Sequence, residues 1–209
     1  MREGRETEYS EADKAQKEWE REDGKEDRNH FESTYILKKN VEYETANGCR
    51  YKTDRLGRIK ECSGMIELES GTTANKTAQR MAGGSDRHNG ERIVDGRAEY
   101  DPDDKDDGGH LIARMFGGSP EADNLVAMNY HVNRGEYKRI ENKWKNTLKE
   151  TDENGERKYD VQVKISVRYE GDSQRPTEFR IQSVTYNRKT HEAVSHMVKR
   201  IKNEPGGNT

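Results

Sequence analysis

The sequence predicts an α+β fold: an antiparallel sheet laid out as a meander, joined to one amphipathic helix. Three observations carry that prediction. Short alternating runs rich in β formers fill Tyr35 to Leu68. Two longer alternating stretches, Val161 to Val167 and Phe179 to Tyr186, flank a loop from Gly171 to Pro176 and read as a second hairpin. Between these regions Tyr137, Ile140, Trp144 and Leu148 recur at steps of three and four, the mark of a helix with one buried stripe.

Composition sets the limits of that fold. Only 28% of residues are hydrophobic and 38% are charged, a balance that would favour disorder if it were spread evenly. It is not: residues 1–30 hold seven Lys/Arg against eleven Asp/Glu, with Tyr9 and Trp19 as their large apolar side chains, so a helix there has no stripe to bury. Residues 1–33 therefore read as a charged linker or flexible arm, 34–202 as one folded domain with a modest core, and 203–209 as a flexible tail. The net charge of −3 also conceals a gradient, since residues 157–202 carry eleven Lys/Arg against five Asp/Glu. A basic face able to meet phosphates is compatible with that gradient.

Several function classes find no support. No run approaches the roughly 18 apolar residues of a membrane helix, and Met1-Arg2-Glu3-Gly4 opens no apolar signal-peptide core, so a soluble chain without a membrane partner is expected. Gly-x-Ser-x-Gly, Walker and Gly-x-Gly-x-x-Gly motifs are absent.

In chain order, Val41-Glu42-Tyr43-Glu44 alternates, Asn47-Gly48 marks a turn, and Tyr51-Lys52-Thr53 and Arg58-Ile59-Lys60 flank Asp54 to Gly57. If Arg55 and Leu56 are the two loop residues, Cys49 faces Cys62 at a non-hydrogen-bonded pair, where a disulfide fits. Two reduced cysteines in a half-buried sheet are the equal alternative. A short helix is expected around Thr77 to Met81, and a short basic helix over Lys189 to Lys202 before Pro205-Gly206-Gly207.

The residues suited to chemistry cluster in the middle of the chain. Hydrolysis of a phosphodiester needs a base, a cation to neutralise developing charge, and positive side chains to hold the phosphate. Asp107-Gly108-Gly109-His110 offers an imidazole with a carboxylate three residues earlier, near enough to neighbour it if the glycines form a bend. Asn133 lies near the start of the helix, and Glu141 follows eight positions on, about 80° away at 100° per residue. A carboxamide with a nearby carboxylate suits a hard cation that keeps most of its waters. The plainer reading makes Asn133 a helix cap and Glu141 a solvated residue. Asp101 to Asp107 could suggest calcium, but Lys105 and Ile112 occupy places where an EF-hand needs ligands. His110 and His131 have no third zinc ligand at suitable spacing.

Taken together, Asp107 to His110, then Leu-Ile-Ala, Phe116-Gly117-Gly118, Asn124-Leu125-Val126, Asn133 and Glu141 resemble the DNA/RNA non-specific endonucleases of the ββα-metal superfamily. The likeness is greatest to the bacterial branch of secreted nucleases and polymorphic-toxin domains, and it is clear over about residues 100–150. It implies a ββα-metal finger embedded in the sheet protein, with a single Mg²⁺ or Mn²⁺. It also implies His110 as general base, Asn133 as metal ligand, and Glu141 orienting the metal's waters, with Asp107 in the same constellation. Lys145, one turn beyond Glu141, becomes a candidate for the phosphate or leaving oxygen. In the family pattern Arg usually follows Asp, whereas this chain has Gly108. Arg114, Arg134 and Lys138, or Arg92 and Arg97 upstream, are candidates to supply the missing charge. Among the basic residues of the last third, Arg168, Arg175, Arg180, Arg188 and Lys189 could line a groove. Further implied are DNA or RNA as substrate, delivery into a target bacterial cell, and a cognate immunity protein. The rival reading is a noncatalytic nucleic-acid-binding or protein-interaction module on the same scaffold.

Overall fold

The computed structural model describes residues 29–69, 73–83, 91–94, 97–100 and 106–205, with the backbone alone described for 91–94 and 97–100. Strands β1 (Phe31–Ser33) and β2 (Ile36–Leu37) form a small antiparallel pair. Next come β3 (Glu42–Glu44), β4 (Arg50–Thr53) and β5 (Ile59–Ile66), then helix α1 (Lys76–Ala82). The ribbon β6 (Glu91–Val94) and β7 (Arg97–Tyr100) precedes β8 (Asp106–His110) and β9 (Leu125–Asn129). Helix α2 (Lys138–Lys149) leads to β10 (Tyr159–Tyr169), β11 (Pro176–Asn187) and β12 (Ala193–Lys202). Six strands make one antiparallel sheet in the order β12-β11-β10-β5-β4-β3, while β8 and β9 pair separately.

Alternation explains which face of the large sheet is covered. Val161, Val163, Ile165 and Val167 of β10, with Phe179 and Ile181 of β11, are buried on one face, and the residues between them are more exposed. The same core takes in Tyr137, Ile140, Trp144 and Leu148, so the predicted helical stripe is the surface that docks on the sheet. Full burial of four such side chains contributes on the order of 1.5–3 kcal/mol each. The β8–β9 hairpin adds Leu125, Val126 and Met128, and the two layers hold the candidate chemistry between an extended strand and a helix.

Several expectations need correction. Residues 193–202 are not a basic helix: Ala193 to Lys202 pair with β11 along its length, because Met197 and Ile201 alternate toward the core as a strand requires. The cysteines do not face each other. Tyr51 sits opposite Cys62, since Asp54 to Gly57 forms a wider turn with Gly57 at φ +78°, and the register shifts beside Thr53. Cys49 instead lies over Gly64, and both thiols are free and buried. Burial raises the Cys49 thiol to about 11, so it stays protonated and unreactive near neutrality.

The folded unit also reaches past the boundaries expected at 33/34 and 202/203. Phe31 belongs to the core, and the His30 imidazole is 3.0 Å from the Asp123 carboxylate while stacking on Tyr43. Asn203 is fully buried. Asp101 to Lys105, on which the calcium reading depends, and the side chains of Arg92 and Arg97 lie outside the described residues.

Candidate active site

Strand β8 carries His110 and Asp107, but on opposite faces. Gly108 and Gly109 are not a bend; they lie within the strand, opposite Ala127 and Val126 of β9. An odd spacing of three residues along a strand sends the carboxylate away from the imidazole. The expected Asp107–His110 contact is therefore absent, and Asp107 serves the helix instead. Its Oδ2 accepts from Asn133 Nδ2 and Arg134 Nε, and its Oδ1 accepts from Arg134 Nη2, each at 2.9 Å. Burial works to raise the Asp107 pKa, but these hydrogen bonds and the guanidinium charge prevail and hold it below the usual carboxylate range.

That network fixes Asn133. An ionised carboxylate only accepts hydrogen bonds, so the amide nitrogen must face Asp107 and the amide oxygen must face away. Oδ1 has no hydrogen-bond partner among the described residues and is available to a hard cation. Asn133 does not cap an α-helix. It belongs to a π-helical turn, Val132–Tyr137, which precedes α2. Such a turn slips the register by one residue, so the 100° step used to relate Asn133 to Glu141 does not apply across it.

Glu141 is 8% exposed, far from the solvated alternative, and accepts a 3.0 Å bond from Lys138 Nζ. Burial raises its pKa while Lys138 opposes the shift. Two hydrogen-bonded units result: Asp107–Asn133–Arg134 and Lys138–Glu141. Among the described residues no hydrogen bond joins them to each other or to His110.

His110 has the environment of a neutral base. Burial, followed by the charge of Arg114, lowers its pKa to about 4. Its Nε2 is buried with no hydrogen-bond partner among the described residues, an arrangement that proteins seldom leave without a function. The ring is held indirectly. Tyr137 OH donates 2.8 Å to the carbonyl of Leu111, tying the residue after His110 to the helix. Asn124 holds the loop after β8: its Oδ1 accepts from Ile112 N and Tyr51 OH, and its Nδ2 donates to the carbonyls of Ile112 and Ser119.

The basic candidates separate by what they touch. Arg134 is clamped on Asp107, and Lys138 on Glu141. Lys145 is half-buried, with no ion pair among the described residues. Arg114 lies on the 3₁₀ turn Arg114–Phe116 just after β8, near enough to influence His110. Gly108 shows why no side chain projects there: an added Cβ would sit 2.1 Å from the backbone oxygen of Gln79 in α1. Farther off, Arg188 and Lys189 pair with Asp160 and Asp152, whereas Arg168 and Arg180 are exposed.

Sequence reading missed two residues that hold the strands in place. Arg175 is not a groove residue; it is buried and forks onto Asp106 at the start of β8 at 2.7 and 3.0 Å. Its guanidinium also donates to the Asn203 carbonyl. Asn203 in turn accepts from Asn129 N and donates to the carbonyls of Ala127 and Pro176, bracing β9. No local pattern announces either role, because each depends on chain segments far apart.

A single cation held by one amide oxygen matches this donor set better than a multi-carboxylate cage. No group of three His, Cys, Asp or Glu residues suited to a metal occurs among the described residues. Comparison with known proteins agrees with the fold. The sequence matches the DNA/RNA non-specific endonuclease family over residues 39–187. It is 41% identical over 152 residues to the type VII secretion system protein EssD of Staphylococcus aureus (strain USA300), covering 70% of this chain and 21% of that protein. The chain thus spans about a fifth of the curated relatives it matches. A solved structure described as the Sda1 nuclease with bound zinc ion superposes with a TM-score of 0.53 at 18% identity, covering 76% of this chain and 75% of the other. The chain belongs to the DNA/RNA non-specific endonuclease family and is an endonuclease, a hydrolase of phosphodiester bonds.

Proposed function

We propose that this endonuclease depends on a divalent metal, Mg²⁺ or Mn²⁺, and cuts DNA or RNA without sequence preference, with His110 as general base and Asn133 as the protein's direct metal ligand. The observation that carries this reading is a pair of orphaned atoms: the buried Nε2 of His110 and the Oδ1 of Asn133, oriented by Asp107. A bound cation would supply charge neutralisation at the scissile phosphate and its leaving oxygen.

The chain's own residues do the rest. At neutral pH His110 is uncharged and accepts the proton of the attacking water as that water's oxygen bonds to phosphorus. An arriving phosphate raises the basicity of the imidazole, offsetting the low pKa of the free site. Arg114, beside His110, holds a phosphate oxygen and takes the part left open by Gly108; Lys145 steadies the 3′ oxygen as it departs, leaving a 5′-phosphate. Glu141, which accepts from Lys138, would orient the waters of a bound cation. Arg134 acts through Asp107, with its outer face turned to substrate. Contacts to phosphate and sugar carry no base information, which supports nonspecific cutting.

The likeness to EssD supports a biological role as the toxic domain of a longer secreted bacterial effector, exported by a type VII-like route and delivered into target cells. A producer of such a domain needs a tight cognate immunity protein. Incubation of the purified chain with supercoiled plasmid and with total RNA, in Mg²⁺ or Mn²⁺ and with EDTA, tests the reading. Degradation without a discrete fragment pattern, abolished by EDTA, is expected. Intact substrate in every divalent metal, with nucleic-acid binding retained, overturns it and favours a noncatalytic binding module.

A further inference from the structure

The stretch between β9 and the π-helical turn contains an aromatic group that neither packing nor the proposed chemistry uses. All five residues of β9 are buried, and so is Tyr137 on the following turn, yet Tyr130 between them is 38% exposed. Its ring lies against His131, with centroids 3.7 Å apart and planes tilted by 37°. Four residues on, one helical turn away, the Arg134 guanidinium sits 5.9 Å from the ring centroid. That guanidinium is held by both oxygens of Asp107, and the His131 amide is held by Asn129 Oδ1 at 2.8 Å. The Tyr130 hydroxyl makes no hydrogen bond among the described residues, so the side chain is not placed there to satisfy a partner.

An exposed tyrosine alone needs no explanation. Here the ring adjoins a fixed cation and stands three residues before the amide proposed to hold the metal. Aromatic rings interleaved with cations are the usual means of gripping unpaired nucleotides, because every base offers a π face whatever its identity. We propose that Tyr130, flanked by Arg134 and His131, is a stacking subsite for the nucleobase next to the phosphate being cut. The inference rests on the endonuclease reading and gives it a substrate preference. Base faces are covered in an intact duplex, so single-stranded and locally melted substrates gain from this contact and stable duplexes do not.

The test separates stacking from charge and from catalysis. Binding of a fluorescent oligothymidylate, and of an oligomer of equal length whose sugars carry no bases, is measured by anisotropy in EDTA for the intact chain. Tyr130→Ala should weaken oligothymidylate binding by about tenfold and leave the base-free oligomer unchanged, while Tyr130→Phe should keep wild-type affinity. In Tyr130→Trp, indole emission should be quenched by oligothymidylate and not by the base-free chain. Equal affinity of wild type for both oligomers, equal losses on both in Tyr130→Ala, or no loss on either overturns the proposal. None of those results touches EDTA-sensitive plasmid cleavage, which stands or falls with the endonuclease reading itself.

Discussion

Replacing Gly108 with alanine should cost more stability than a single methyl group normally does. The added Cβ would lie 2.1 Å from the Gln79 carbonyl oxygen and 2.7 Å from its carbonyl carbon and Cα, against an ordinary contact of 3.4 Å or more. All three atoms are backbone, so no side chain can rotate aside; either α1 or β8 must move by more than about 1 Å. Overpacking of this kind costs roughly 1–3 kcal/mol, and the backbone contacts place Gly108→Ala at the upper end, about 3 kcal/mol. For a domain of this size that lowers Tm by about 6–12 °C. Thermal unfolding followed by circular dichroism measures it, with Gly135→Ala as the control because nothing lies within 4 Å of its added Cβ. A Gly108→Ala melt within a degree or two of wild type would refute the reasoning. A fully active and stable Gly108→Arg would do so more directly, by showing that the arginine usual at this place in the family has room after all.

Further expectations follow from the same geometry. Asp107→Ala releases the Asn133 amide, so the metal concentration for half-maximal cleavage should rise by about 10–100-fold; an unchanged metal titration removes Asp107 from the site. The His110 pKa of about 4 predicts that kcat/KM holds down to about pH 5 and falls below it, because only the neutral ring accepts a proton; an acid limb centred near the ordinary histidine value of 6.5 contradicts the buried, Arg114-flanked environment. The same depressed pKa means that the unfolded chain protonates first, so stability should decline as pH drops from about 6.5 toward 4. Asn203→Ala removes the hydrogen bonds that brace the Asn129 amide and the Ala127 and Pro176 carbonyls, of which Pro176 keeps only its longer bond from Arg175 Nη1, and should cost about 1–3 kcal/mol; urea unfolding reads it, and an unshifted midpoint would make the Asn203 brace incidental.

Elements whose signal is local were legible in the sequence, and contacts between distant segments were not. The helical stripe from Tyr137 to Leu148 and the strands around Val163 and Ile181 follow from periodicity, which burial enforces residue by residue. Residues 193–202 read as helix because their basic character masked the alternation of Met197 and Ile201. A facing Cys49–Cys62 pair depends on a two-residue loop at Arg55-Leu56, and Gly57 with its left-handed backbone and the register shift beside Thr53 remove that condition, leaving the two reduced thiols that were its alternative. At the site, spacing singled out His110, Asn133 and Glu141 but misjudged how Asp107 acts, since strand parity turns it to Asn133. Arg175 and Asn203 had no signal at all: their partners lie as many as 69 and 76 residues away.

Cleavage of a short single-stranded oligonucleotide by His110→Ala, at saturating Mg²⁺ or Mn²⁺ and neutral pH, tests the catalytic assignment most directly. A general base at this position predicts a fall in kcat of about 10²–10⁴-fold, with oligonucleotide affinity in EDTA and Tm close to wild type. Turnover within a few-fold of wild type would contradict it, and the buried, unpartnered Nε2 of His110 would then need another explanation.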